Sequence, residues 1–259
     1  RVLFRSADLV FIPNATTGVS IVARSLALGE GDEVLTTDLE YGACDAAWQR
    51  VCAQAGAVYR RIEIALPLDA NTFVERLMSA VTPRTRLIFL SHITSTTALI
   101  LPAAKVCEAA RRAGVTTLID GAHAPGQLDL SIDEIGADFY TGNCHKWLCA
   151  PKGTAFLHAR SDQQKWIDAP VTSWGYASGV DGNAGFDAYL GHSPFERRLQ
   201  WQGTRDISAW LAVPAAIEFQ TRHHWRSVRQ RSHSLAAEAL HTLAQRFDLM
   251  PIGADEDWV

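Results

Sequence analysis

The sequence predicts an α/β fold: a three-layer α/β/α sandwich around a mostly parallel sheet, followed by the start of a small C-terminal α+β domain. Three observations predict it. Short apolar runs alternate with helix-length stretches from residue 9 to residue 158, the pattern of strands joined by crossover helices. Several of those runs end in polar residues, as strands do when they deliver reactive groups to one edge of a sheet. The 259 residues are 47% hydrophobic and 20% charged, which suffices for a substantial core in one large domain plus part of another.

Taken in order, residues 9–13 read as the first strand, and Asn14-Ala15-Thr16-Thr17-Gly18 as the turn opening a helix that runs to Leu28 and closes at residues 29–31. Residues 33–37 form the next strand, 38–41 a loop, and a helix follows to about Ala55. A third strand covers 57–64 and a helix 71–81. Residues 86–92 are a buried-type strand, 102–113 a helix with proline in its first turn, and 116–119 a strand. Residues 137–142 and 154–158 supply two more strands around a lysine-bearing loop. Residues 168–204 are rich in Gly, Ser, Asp and aromatics and read as ordered loops. From Ser208 the pattern is helical, with Trp210, Val213, Ile217 and Phe219 expected on a buried face.

The net charge of −4 without a dense basic run argues against nucleic acid as a partner, and Arg222-His223-His224-Trp225-Arg226 reads as a solvated helix face. Five scattered cysteines, an odd number, suggest reduced thiols in the cytoplasm. No apolar run reaches the roughly 20 residues of a membrane span. Cys144, His145 and Cys149 match no zinc-ligand spacing, so no metal is expected. Arg1-Val2-Leu3-Phe4-Arg5-Ser6 can be encoded by the end of a common sequencing adapter, and no initiator methionine is present. The chain is therefore expected to be an internal fragment, with residues 1–6 an artefact, 7–214 a cofactor-binding large domain and 215–259 the beginning of a smaller one.

Two strand tips carry the chemistry: Leu118-Ile119-Asp120-Gly121-Ala122-His123 and Thr141-Gly142-Asn143-Cys144-His145-Lys146. A partly buried lysine near a carboxylate and imidazoles suits pyridoxal-phosphate chemistry, in which the amine forms a Schiff base and an acid pairs with the pyridine nitrogen. Asp120 ends an apolar strand, where an unpaired carboxylate is costly; the plainer alternative is a cap for the following turn. Asn14 to Gly18 offer backbone N–H groups and hydroxyls to an anion at a helix start, or else only a helix cap. His145 and Asn143 are candidate phosphate donors and His123 a donor to the ring hydroxyl, although any single histidine can be structural. Tyr41 can stack on a flat ring or serve the core or an interface. Lys152, in the Pro151-Lys152-Gly153 turn, is the competing lysine and reads as exposed.

Together with Asn14-Ala15-Thr16-Thr17, Thr37-Asp38-Leu39-Glu40-Tyr41-Gly42-Ala43, Ser91-His92-Ile93-Thr94-Ser95-Thr96-Thr97-Ala98, Asp120-Gly121-Ala122-His123-Ala124-Pro125-Gly126, His145-Lys146-Trp147 and Trp201-Gln202-Gly203-Thr204-Arg205-Asp206, these tips give the chain a family resemblance. It resembles the class V aminotransferases among the fold type I pyridoxal-phosphate enzymes, most of all the isopenicillin N epimerase-like branch. The resemblance implies an aspartate aminotransferase-like large domain and pyridoxal 5'-phosphate as cofactor. It implies Lys146 as the Schiff-base lysine and Asp120 as partner of the pyridine nitrogen. Ala15, Thr16, Asn143 and His145 fall on the phosphate side, Tyr41 over the ring, His123 near the ring oxygen, and Ser95 in the cofactor-binding set. Thr204 matches a threonine reaching the phosphate of a neighbouring subunit, which implies a homodimer. The family's substrate-carboxylate arginine is expected beyond Val259. The implied activity is an epimerase-like reaction on an amino acid or amino-acid-bearing substrate. Transamination and cysteine desulfurase or C–S lyase chemistry are the alternatives within the family. A non-catalytic cofactor-binding regulatory domain is the alternative of another class. A nicotinamide-binding domain is disfavoured because Asn14 to Gly18 lack the glycine fingerprint.

Overall fold

The computed structural model describes residues 6–176 and 191–259. Residues 1–5 of the suspected adapter-encoded segment, and the middle of the 168–204 stretch, lie outside the described residues. Branched and aromatic side chains favour the extended, half-buried backbone of a sheet. They build β1 (Leu9–Ile12), β2 (Glu33–Thr37), β3 (Val58–Ile62), β4 (Thr85–Ser91), β5 (Thr116–Asp120), β6 (Phe139–Asn143) and β7 (Ala155–Ala159). Among the described residues these form one seven-stranded sheet in the order β1-β7-β6-β5-β4-β2-β3. β2 to β6 run parallel, and β7 alone is antiparallel to its neighbours β1 and β6.

Alternation along each strand sorts the core into two layers. Leu87 and Phe89 of β4 face α1 (Ala15–Ser25) and α2 (Gly42–Ala55), together with Val19, Val22 and Trp48. Ile88 and Leu90 face the other way, toward Leu77 of α3 (Ala70–Ser79), Val106 and Ala110 of α4 (Ala103–Arg112), and Ile132 of α5 (Ile132–Ile135). The short α5, absent from the sequence reading, starts where Ser131 accepts the Glu134 N–H.

Four expectations need correction. α1 stops at Ser25 rather than Leu28, because the Ser25 hydroxyl bonds back to the Ile21 carbonyl and Leu26 turns extended. The 168–204 stretch is not loop throughout: α6 (Pro194–Gln200) begins with a capping box of Ser193 and Glu196 and proline in its first turn. After α7 (Ser208–Leu211), α8 (Val213–Arg222) buries Val213 and Ala216, whereas Ile217 and Phe219 are 50% and 43% exposed. The Arg222 to Arg226 run lies at the corner between α8 and α9 (Trp225–Phe247), not on one helix face, and the Trp225 indole donates to the Gly126 carbonyl. Beyond α9 the chain returns to the 94–100 loop, where Ile100 N–H donates to the Asp257 carbonyl and Trp258 is buried. Among the described residues no helix is long and apolar enough to cross a membrane.

Candidate active site

The carboxyl ends of β1, β2, β4, β5 and β6 fall on one edge, as the parallel registers require. That edge opens into a cleft of about 230 Å³. It brings together Ala15, Thr16, Tyr41, Ser95 and Asp120 with His123, Asn143, His145 and Lys146. Thr204 is not among them: it lies exposed in the bend between α6 and α7. Hollows of 460 and 770 Å³ against α9 are larger, but neither is lined by a buried carboxylate or a lysine.

Asp120 ends β5, paired in register with Ser91 on one side and Thr141 on the other. It is 4% exposed. Its Oδ1 accepts the Ala122 N–H at 2.9 Å and its Oδ2 the Cys44 thiol at 3.5 Å. Burial pushes its pKa up, against the pull of those two donors and of the Lys146 charge. A carboxylate has about four acceptor sites, so one amide and one weak thiol leave its charge undercompensated toward the cleft.

Lys146 belongs to the loop after β6, and its Nζ lies 2.9 Å from His123 Nε2. Burial of the amine lowers its pKa, partly offset by the charge of Asp120. His123 is likewise lowered, to about 4, by burial and then by Lys146. Asn143, at the end of β6, ties that strand to α1 by accepting the Ala15 N–H at 2.8 Å. Its amide group makes no hydrogen bond among the described residues. Asn14 is the helix cap that the plainer reading proposed, accepting from Thr17 N–H. The neighbouring Thr16 N–H and hydroxyl make no hydrogen bond among the described residues, so α1 presents free donors and its dipole at the cleft. His145 Nδ1 bonds the Thr154 carbonyl at 2.8 Å. That nitrogen must donate, so the neutral ring offers Nε2 as an acceptor, and His145 serves an anion only as imidazolium.

Several residues that shape the cleft escaped the sequence reading. Ser91 lines it, and Glu40 lies fully buried beneath Tyr41. Glu40 accepts from Thr37 Oγ1 at 2.7 Å, Ser91 N–H at 2.9 Å and Ser91 Oγ at 2.6 Å, clasping the exits of β2 and β4 together. Tyr41, 48% exposed, occupies the N-cap position of α2 directly after this clasp. An acid within the short loop that follows a wholly buried strand was the available signal.

Burial raises the Glu40 pKa to about 8, against the Ser91 and Thr37 hydrogen bonds. The folded protein then binds more protons than the unfolded chain between about pH 4.5 and 8, so stability falls as pH rises through that window. His92, lowered to about 4 by burial, acts oppositely between about pH 4 and 6.5. Above that the histidine effect is spent. Stability is expected to fall from about pH 6.5 to 8 with a slope approaching 1.4 kcal/mol per pH unit from Glu40, and Glu40→Gln is expected to remove that part of it. Urea unfolding of both proteins across the window measures the difference. Equal slopes would refute the buried-acid assignment.

The donor set fits pyridoxal 5'-phosphate: a helix start with unspent donors for the phosphate, a buried carboxylate held among the described residues by only one amide and one thiol for the ring nitrogen, and an amine of lowered basicity for the aldehyde. Comparison with known proteins agrees with this donor chemistry. The family model described as Aminotransferase class-V matches residues 4–257. The isopenicillin N epimerase of Streptomyces clavuligerus is 42% identical over 92% of this chain and 60% of its own length. That of Amycolatopsis lactamdurans is 40% identical over 96% of this chain and 63% of its own. The chain thus spans less than two thirds of either relative. Among solved structures, a mutant of C-DES with glycine covalently linked to the PLP cofactor is 26% identical, covers 89% of this chain and 61% of its own, and superposes with a TM-score of 0.77. C-DES is a cystine C-S lyase, also solved with its reaction product cysteine persulfide.

Proposed function

This chain belongs to the class V aminotransferase family, and on that premise we propose that it is the cofactor-holding part of a pyridoxal-phosphate-dependent enzyme with an isopenicillin N epimerase-like reaction. Its substrate is an amino acid or a compound bearing an amino-acid moiety. The observation that carries this reading is the convergence of Lys146, buried Asp120 and the free donors of Thr16 in one cleft at the sheet edge.

When bound, pyridoxal phosphate supplies an aldehyde and an electron-withdrawing ring. Lys146 would be the residue that holds the cofactor at its aldehyde, and its Nζ, once free, would be the base for the proton on the substrate Cα. Asp120 holds a proton at the ring nitrogen. Thr16, the Asn143 amide and the start of α1 bind the phosphate, with Ala15 and His145 beside them. Tyr41 covers the ring, and His123 and Ser95 complete the wall. A proton returned to the opposite side of Cα gives epimerisation.

The similarity to C-DES supports a second reading, loss of a β-sulfur substituent after the same proton abstraction. Residues 7–214 act as the large domain and 215–259 begin the small one. The exposed Thr204 serves the neighbouring subunit of a homodimer, and the free cysteines suit the cytoplasm. Purified protein supplied with the cofactor and a panel of amino acids in deuterium oxide decides between these. Deuterium at Cα with inversion and no keto acid supports epimerisation, whereas released sulfide moves the assignment to lyase chemistry. A protein that develops no visible absorption band with the cofactor rejects both.

A further inference from the structure

The two nitrogens of one imidazole are both engaged in the cleft wall. Trp147 Nε1–H donates to His123 Nδ1 at 3.1 Å, and Lys146 Nζ sits 2.9 Å from His123 Nε2. An indole nitrogen can only donate. His123 Nδ1 must therefore carry a lone pair, and the single proton of the neutral ring sits on Nε2. That proton points at Lys146. The bond exists only when Nζ also carries a lone pair, as an uncharged amine, because an ammonium has no acceptor.

We propose that Trp147 is a positioning residue: it locks His123 as the Nε2–H tautomer and thereby disfavours protonation of Lys146. The inference rests on Lys146 being the cofactor-binding lysine, and gives that residue the uncharged form its nucleophilic role needs. The backbone holds the arrangement in place. Gly126, with φ +85, lets the loop carrying His123 run against the Trp147 carbonyl, where any Cβ would collide. Gln220 Nε2 donates to the same carbonyl at 2.6 Å. Lys146 and Trp147 are consecutive, so one loop presents both partners to one ring. The other groups acting on the amine are Asp120 from β5 and Cys44 from α2, with Tyr41 and His145 lining the same cleft. Asp120 favours the ammonium form. The His123 donor therefore opposes a real bias, which burial of the amine also opposes.

The test uses the purified protein stripped of cofactor, with ¹⁵N-labelled histidine and ¹³C-labelled lysine, followed by NMR across pH. Wild-type His123 is expected to show protonated Nε2 and bare Nδ1. In Trp147→Phe, Nδ1–H becomes available, Nε2 is free to accept from an ammonium, and the Lys146 midpoint is expected to rise by about one pH unit, tenfold in the free-amine fraction. In a His123→Ala background, Trp147→Phe is expected to leave that midpoint unmoved, which a purely structural role for the indole would not predict. A wild-type protein with Nδ1–H overturns the proposal without any variant, as does an unchanged midpoint in Trp147→Phe. Adding pyridoxal phosphate to the same sample separates the two ideas: the expected tautomer with no cofactor uptake sinks the proposed function and leaves the tautomer lock standing.

Discussion

Replacing Lys146 with alanine is expected to abolish turnover, by about 10⁴-fold or more, because one amine supplies both the covalent anchor and the base. No other lysine can stand in. The sequence holds three others: Lys105 bonds Asn71, Lys165 lies over the Trp166 ring, Lys152 is exposed in its turn, and none of these lines the cleft. Lys146 is exposed as a residue and directs only its amine to His123, so the truncation leaves no core cavity. Stability is expected to change by no more than about 0.5 kcal/mol. Lys146→Arg separates charge from nucleophile: it sets a permanent cation beside Asp120 that cannot be deprotonated, and should be nearly as inactive. The checks are turnover, the visible band of added cofactor, and thermal unfolding of the cofactor-free protein. Retained turnover in Lys146→Ala would remove this residue from the chemistry and force a search for another anchor.

The part of this site that local pattern could reveal was the part built by consecutive residues. The bounds of β2, and the end of α2 at Ala55, follow from an apolar run and a helix stop at Gly56, whose left-handed backbone a glycine adopts freely. The strand tips bearing Asp120 and Lys146 were legible because strand edges and polar tips are local features. The link from Glu40 to Ser91 spans 51 positions, and that from Trp147 to His123 spans 24. Neither has a periodicity to betray it. The exposure of Ile217 and Phe219 was equally hidden, since helical spacing gives an apolar stripe without saying what covers it. The antiparallel direction of β7 is set by the short path from β6 through the lysine loop, too brief for a crossover helix. That signal was present in the spacing. The stop of α1 at Ser25 was not, because a serine can bond back to the carbonyl four residues earlier without ending a helix.

Replacing Asp120 with asparagine is expected to lower turnover by about 10³-fold, matching the 3–5 kcal/mol lost when a buried charge pair loses one member. Asparagine is the informative choice because it caps a turn as well as aspartate does, and its carbonyl oxygen can still accept the Ala122 N–H now held by Oδ1. A residue that merely closes the turn after β5 would tolerate the change. A carboxylate that must hold a proton on a basic ring nitrogen would not, since the amide carries no charge and presents a second donor where Oδ2 now accepts from Cys44. The two accounts also differ in the cofactor-free protein. Asp120 is buried with few partners, and burial raises its pKa, so holding it as a carboxylate costs folding free energy. Asparagine removes that cost, and the variant is expected to be at least as stable as wild type at pH 8 while almost inactive. Asp120→Glu should fall between: it restores the charge but adds a methylene to a site packed against Cys44 and Gly121, whose own Cβ position is already filled by the Tyr140 ring. Turnover and urea stability of the three proteins, measured side by side, distinguish a stable inactive Asp120→Asn from an unstable one. An unstable variant with proportionate activity would return Asp120 to the role of a cap.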